Sequence, residues 1–415
     1  MAHGTLIGGT AYGIGGGKTL VDGTSYSIKN GKVLIDGTVY NIPFGDAGSA
    51  DLWNGTSTLC EINCITYANG YWVVGGRYFD GTTSYARIAY TNDLNGSWTV
   101  QDVWADTKNN TNSSSIHCIT YANGYWVVGG QWYGTWNGYT YYTARIAYST
   151  SLTSTWTVKN FAGNNASRCC VYCVTYADGY WLAGTGENGL TLGAVYRCEN
   201  TKPSGSWTTL MQWMGDDYGS TLINCITYAN GYWVVGGSYS MGGYCSPKVS
   251  YTTSLANTWT LKDVRSSIGT SSMRMITGIT YANGYWVVCG EYNDRAYIAY
   301  STSLGGTWTA RDIFYELNSL DRGVFMGIVY ANSKWVLSGQ YYSNSDKKYY
   351  ARIAHTDTLS GTWTMQDLWS GTDKNILTCV AFGNEHFMTA GRYFDGTTYY
   401  GRIAYTDDLT NFSVE

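Results

Sequence analysis

A chain of 415 residues with a net charge of −4 and only 13% charged side chains has no basic stripe of the kind a nucleic-acid partner requires. No apolar run approaches the roughly 18 residues of a membrane-spanning helix, so membrane insertion is not expected. Its 52 Gly, 40 Tyr, 18 Trp and 3 Pro are the composition of an all-β protein. The start, Met-Ala-His-Gly-Thr, lacks a charged segment followed by an apolar one, so no signal peptide is expected.

Residues 1–45 carry a short tandem repeat. L-I-G-G-T-A-Y-G-I from Leu6, L-V-D-G-T-S-Y-S-I from Leu20 and L-I-D-G-T-V-Y-N-I from Leu34 follow each other every 14 residues. Alternating apolar positions around Gly and Asp-Gly turns predict small stacked hairpins. So little chain buries little surface alone, and an attachment or oligomerisation role, including a homo-oligomer through this segment, is expected. Residues 45–50 read as a linker.

A second repeat occupies 46–415. I-T-Y-A-N-G-Y-W-V-V-G-G, starting at Ile65, returns at Ile119, Val174, Ile226, Ile279, Ile328 and Val380, at spacings of 54, 55, 52, 53, 49 and 52 residues. Each copy sets two β-rich runs around a two-residue turn. Asn69-Gly70, Asn123-Gly124, Asp178-Gly179, Asn230-Gly231 and Asn283-Gly284 are type I′ hairpin signals, with Asn332-Ser333 and Asn384-Glu385 degenerate. Four strands per unit follow, a to d; in the first they fall at about 62–67, 71–78, 86–91 and 98–104. A period near 50 with four strands predicts a seven-bladed β-propeller. The last copy stops at F-S-V-E, and the D-L-W that ends this strand elsewhere stands instead at Asp51-Leu52-Trp53. Pairing of the C-terminal strand with residues near 51–53 is therefore expected to tie the two ends together.

Of the eleven cysteines, Cys64, Cys118, Cys173, Cys225 and Cys379 share one repeat position, filled by Gly278 and Gly327 in the other two copies. A position that accepts Cys or Gly is a small buried slot, so these are expected to be free thiols folded in a reducing cytosol. The c–d connection recurs as T-N-D-L-N-G-S-W at Thr91, S-T-S-L-T-S-T-W at Ser149, T-T-S-L-A-N-T-W at Thr252, S-T-S-L-G-G-T-W at Ser301 and T-D-T-L-S-G-T-W at Thr356. Its short polar side chains should bond the turn backbone and its terminal Trp should pack between sheets.

This connection resembles the Asp-box hairpin of sialidase-like propellers, with Asp93 and Asp408 at the Asp position. The Gly75-Gly76, Tyr90 and Trp98 series resembles a Kelch repeat. Both resemblances imply the same architecture and neither implies an activity.

Loop lengths separate the two rims. From the strand a anchor to the strand b aromatic, as from Ile65 to Trp72, the distance is 7 residues in every copy. The b–c connections instead vary: Arg77 to Ala86 spans 9, Gln131 to Ala144 spans 13 and Glu291 to Ala296 spans 5. A rigid scaffold with one irregular rim suggests binding there. The candidate ligand-binding residues are Arg77, Tyr78, Gln131, Trp132, Tyr133, Trp136, Tyr239, Glu291, Gln340, Tyr341, Arg392 and Tyr393. Aromatic faces beside amide, carboxylate and guanidinium groups suit sugar recognition.

The sialidase resemblance raises an enzymatic alternative: a glycoside hydrolase with three arginines on a substrate carboxylate. The arginines of A-R-I-A and G-R-I-A (Arg87, Arg145, Arg352, Arg402) recur at one position, which predicts a scaffold role paired with acids such as Asp102 and Asp367. Arg77 and Arg392 likewise share a position. His3, His117, His355 and His386 have no metal-ligand spacing, and there is no nucleophile elbow or phosphate loop. No catalytic residue, metal or cofactor is expected, and the chain reads as a binding protein.

The L-x-D-G-T-x-Y-x-I tandem resembles the leading segments of tail and baseplate proteins from phages of Gram-positive bacteria. That resemblance implies a virion tail protein made in the bacterial cytoplasm. Residues 1–45 would join other tail proteins, and the propeller would bind a host surface glycan or surface protein. A lectin-like propeller outside a virion is the other binding alternative.

Overall fold

The computed structural model describes residues 52–53, 60–106, 114–136, 139–160, 169–187, 192–214, 221–241, 244–264, 274–314, 322–371 and 375–414, with short strands between residues 4 and 41. It is all-β. The 14-residue tandem forms three hairpins whose innermost pairs, Ile7–Thr10, Val21–Thr24 and Ile35–Thr38, fall one repeat apart.

From residue 61 onward, antiparallel four-stranded units follow one another, strands in chain order. The first comprises a (Glu61–Ala68), b (Tyr71–Phe79), c (Ser84–Thr91) and d (Thr99–Ala105). Six more have their first strands starting at Ser115, Cys169, Leu222, Arg274, Arg322 and Ile376. The third and fourth are joined by one bridge between Gly186 and Leu222. In the last unit, strand d is only Ser413–Val414, paired with Tyr405 and Ala404. On the same strand c, the Leu52 N–H reaches the Gly401 carbonyl at 3.4 Å, and Trp53 packs against Gly401.

All seven a–b turns take the left-handed conformation the spacing called for. The first turn residue has φ of 45–50° throughout, and glycine follows at 77–83° in five copies. The two degenerate turns adopt it regardless, with Ser333 at 59° and Glu385 at 67°. The c–d turn is also uniform. The buried hydroxyls of Thr91, Ser149, Thr252, Ser301 and Thr356 each donate to the carbonyl two residues on and accept that residue's N–H. In the third unit, Cys198 takes this place and its thiol donates to the Lys202 carbonyl.

Strand a carries a β-bulge in every unit, as between Ile62 and Cys64 in the first and Leu377 and Cys379 in the last. The residue before the bulge drives its side chain into the preceding sheet. A Cβ on Gly75 would come within 2.8 Å of Ile116 Cγ2, on Gly184 within 2.6 Å of Ile223 Cγ2, and on Gly236 within 2.9 Å of Ile276 Cγ2. The apolar core accordingly lies between sheets. Seven clusters each join one sheet to the next, and one of them sets Ile62, Trp72 and Val74 of the first against Met388, Ala390 and Ile403 of the last.

Two belts of hydrogen bonds follow the same path. Among the bulged residues, Asn63 donates to the Ile116 carbonyl (2.9 Å), Asn224 to Ile276 (2.8 Å), Thr277 to Phe325 (2.6 Å) and Thr378 of the seventh unit to Ile62 of the first (2.5 Å). Farther out, strand d side chains reach carbonyls of the next c–d turn: Gln101 to Ser154, Lys159 to Ser204 and Gly205, Arg311 to Leu359 and Gly361, and Gln366 to Thr410.

The cysteine slot is shared across strands. Cys64, Cys118, Cys173 and Cys225 each pair with a glycine on strand b, whereas Gly278 pairs with Cys289, Gly327 with Ser338, and Cys379 with Ala390. One side carries the sulfur or hydroxyl and the other keeps little or nothing, because the space holds one such side chain. Burial pushes the Cys289 and Cys379 thiols up to about 12, so they remain protonated packing groups. The ten described cysteines are free.

Two stability measurements check this account. Replacing Ser333 or Glu385 with glycine removes the left-handed penalty and should raise unfolding free energy by about 1 kcal/mol each in chemical denaturation. Gly278→Cys would set its Cβ 3.0 Å from the Cys289 sulfur and should cost about 1–3 kcal/mol. Combining it with Cys289→Gly should restore part of that loss, and simple additivity of the two would refute the shared slot.

Candidate functional site

The irregular rim is where strands a begin and strands b end. There the position after the strand b glycines carries Arg77, Gln131, Gly186, Ser238, Glu291, Gln340 and Arg392 in successive units. Arg77 lies across from Glu61 in register, and its Nη2 is 3.2 Å from Glu61 Oε1. Arg392, from the last sheet, places Nη1 3.4 Å from Glu61 Oε2. One carboxylate thus bridges two guanidiniums that lie far apart in sequence. All three are well covered, with side-chain exposures of 13%, 18% and 21% for Arg77, Glu61 and Arg392.

The electrostatics follow from that enclosure. Burial works against the Glu61 charge, but Arg77 and Arg392, then His117 and a hydrogen bond from Asn63, outweigh it and hold the carboxyl below its ordinary value. His117, on the neighbouring strand a, shares a 2.7 Å hydrogen bond with Ser115 Oγ and meets the Tyr172 ring edge-on at 5.6 Å. Burial lowers its pKa to about 4; nearby Glu61 opposes this shift, and Arg77 adds to it. At neutral pH the group is therefore an ionised acid, two arginines and a neutral imidazole. Glu291 differs: burial, with Asp294 nearby, raises its carboxyl to about 7.

The structure brings Arg77 and Arg392 together and distributes the other sequence candidates. Gln340 donates to the Asn375 carbonyl at 2.9 Å, and the Gln131 carbonyl accepts the Trp104 indole N–H at 3.1 Å. In four sheets the recurrent aromatic position forms a stack with an arginine of the same sheet. Guanidiniums lie over Tyr78 (Arg87, 3.7 Å), Trp132 (Arg145, 3.9 Å), Tyr341 (Arg352, 3.5 Å) and Tyr393 (Arg402, 3.8 Å). Asp102 and Asp367 grip Arg87 and Arg352 from strand d, each through a 2.6 Å bond to Nε, the scaffold pairing expected of these arginines.

Such stacks contribute about 0.5–2 kcal/mol each, and they leave Trp132 only 6% exposed. Tyr239 donates to the Met214 carbonyl at 2.9 Å, and Tyr133 packs on Tyr142 at 4.8 Å. The Trp136 side chain lies outside the described residues.

Glu61, Asn63, Ser115 and His117 were not singled out by their sequence. Their signal was available, since polar residues interrupt an otherwise apolar inner strand at two repeat positions, Glu61 with Ser115 and Asn63 with His117. Among the described residues no group of His, Cys, Asp and Glu is placed to hold a metal.

No family model and no curated protein matches the chain. Solved structures do. The chain is similar to Trypanosoma rangeli sialidase in complex with sialic acid, at 13% identity over 92% of this chain and 58% of that one, with a TM-score of 0.43. It is also similar to YCF48 bound to D1 peptide, at 12% identity over 80% of this chain and 89% of that one (TM-score 0.48). A third is Chaetomium thermophilum Sqt1, at 9% identity over 87% and 86% of the two chains (TM-score 0.48). These likenesses are too slight to bear on function.

The buried imidazole has a pH signature. A histidine whose folded pKa is depressed stabilises fully above its unfolded value of about 6.5, and that contribution is lost as pH falls toward the folded value. Between pH 7 and pH 5 the His117 share of the loss should be about 2 kcal/mol. Denaturant titrations at the two pH values should show a smaller difference in His117→Gln.

Proposed function

We propose that residues 46–415 close into a seven-bladed propeller, with residues 51–53 completing the outer strand of the last blade, and that its irregular rim binds a carbohydrate. The observation carrying this reading is the Glu61 clamp with Arg77 and Arg392, set beside Ser115 and His117 where the first strands meet. It is a fixed group of donors and acceptors at the mouth of the fold. Converging polar groups of this kind orient hydroxyls, and the loops that differ between blades supply the remaining contacts.

In the proposed role, residues 1–45 join the propeller to a larger assembly. The phage tail context rests on the resemblance of the 14-residue tandem, and the bound carbohydrate is then a glycan of the host surface. The protein acts as a binder and not as a catalyst.

A hydrolytic reading has one observation in its favour. Glu291, raised to about 7, would hold a proton near neutral pH, as a general acid must.

Arrays of bacterial surface glycans probed with full-length protein test the proposal. A ligand should bind the parent and bind at least about tenfold more weakly when Arg77 is replaced by Ala or when the b–c connection after Tyr133 is shortened. Unchanged binding in folded variants of both kinds would refute the proposed rim. Hydrolysis of an arrayed glycan that disappears in Glu291→Gln would replace the binder with the enzyme.

A further inference from the structure

The opposite rim, with its uniform turns, contains a cavity that the proposed site does not use. Between the fourth and fifth sheets a notch of about 340 Å³ is lined by Asn230, Tyr232, Tyr251, Trp286 and the turn 302–305. Trp286, 1% exposed, forms its floor. Tyr232 and Tyr251 meet edge to face, centroids 6.1 Å apart at 72°, and form one wall. Asn230, Thr302 and Ser303 are exposed at its edge, and no charged side chain lines it.

The notch is one version of a recurring arrangement. Tyr71 with Tyr90, Tyr125 with Tyr148 and Tyr285 with Tyr300 form the same edge-to-face pair at 6.0–6.3 Å. Between the second and third sheets the corresponding asparagine is engaged: Asn123 Nδ2 donates to the Thr201 carbonyl at 2.8 Å. Among the described residues, no hydrogen bond engages the Asn230 side chain.

We propose that this notch binds a single neutral hexopyranose unit. Its volume is at the lower end of small-ligand sites, roughly 300–1,000 Å³, which suits one ring and not a drug-sized ligand. Aromatic walls take the C–H face of a pyranose, while an amide and two hydroxyls match its hydroxyl groups. The lack of charge in the lining selects a neutral sugar over an acidic or amino one. This site is independent of the opposite rim, so neither reading depends on the other.

The test is a titration of isotope-labelled full-length protein with glucose, galactose, mannose and N-acetylglucosamine, followed by NMR. At least one sugar should shift the Asn230 side-chain amide and the Trp286 indole N–H, with a Kd of about 1–10 mM, the strength one shallow site of this size supplies. Asn230→Asp tolerates the left-handed turn but loses the amide donor, and should weaken binding about tenfold or more. Thr302→Val, which leaves the turn backbone alone, should also weaken it, and Asn123→Asp should leave it unchanged. Absence of shifts with all four sugars at about 50 mM overturns the proposal, given the expected affinity. So does undiminished binding by Asn230→Asp and Thr302→Val, or equal loss in Asn123→Asp.

Discussion

Each sheet depends on the close approach of the next. A branched or aromatic side chain just before the bulge of one strand a presses onto the preceding strand b, and only a small residue fits beneath it: glycine in four units and Cys289, Ser338 or Ala390 in the others. The distances of 2.6–2.9 Å from a hypothetical Cβ on Gly75, Gly184 and Gly236 to the next sheet's isoleucine measure how little space exists. Because interiors pack at crystal-like density, that approach sets the sheet spacing. The spacing in turn permits the inner belt, whose side chains span from one bulge to the next. A single sheet presents an apolar face on both sides and has no stable form alone.

The same constraint explains the exchange of cysteine and glycine. Reading strand a by itself shows a position that is Cys in five units and Gly in two. Reading strand b by itself shows glycine interrupted by Cys289, Ser338 and Ala390. Only the register, Gly278 with Cys289 and Gly327 with Ser338, shows that these are one site with its contents moved across. The slot was visible in the sequence, but its conservation of volume was not. The same limit applied to the bulges. Alternation of apolar residues does not reveal an extra residue, although Asn63, Asn224, Thr277 and Thr378 stand out as polar interruptions once their carbonyl partners are known.

Local chemistry was the most legible part. Asn-Gly turns, the serine and threonine turn hydroxyls and the Arg87–Asp102 and Arg352–Asp367 pairs were readable because each is decided within about 15 residues of chain. The Glu61 clamp was not. Arg392 reaches Glu61 across 331 positions, a proximity created by the seventh sheet packing on the first. The recurrent aromatics were recognised as a set, but their partners were not: Tyr78, Trp132, Tyr341 and Tyr393 turn a face to an arginine of their own sheet. Aromatic recurrence signals a repeated internal contact as readily as a repeated binding surface.

The turns of one rim and the loops of the other differ in what they bond. On the uniform rim, Gln101, Lys159, Arg311 and Gln366 donate to carbonyls of the next unit's c–d turn. An inserted residue there would displace an acceptor that a neighbouring sheet requires. The b–c loops of the first and last units satisfy themselves instead. Asp80 accepts from Thr82, Thr83 and Tyr85, and Asp395 does the same with Thr397, Thr398 and Tyr400; these bonds lower each carboxyl to about 2 despite its exposure. A loop that closes its own hydrogen bonds can change length without loosening its neighbours. The strand ends of the same rim still tie sheets together, as Arg392 does with Glu61, Gln340 with Asn375 and Trp104 with Gln131, so length can vary in the loops while the residues flanking them remain part of the assembly.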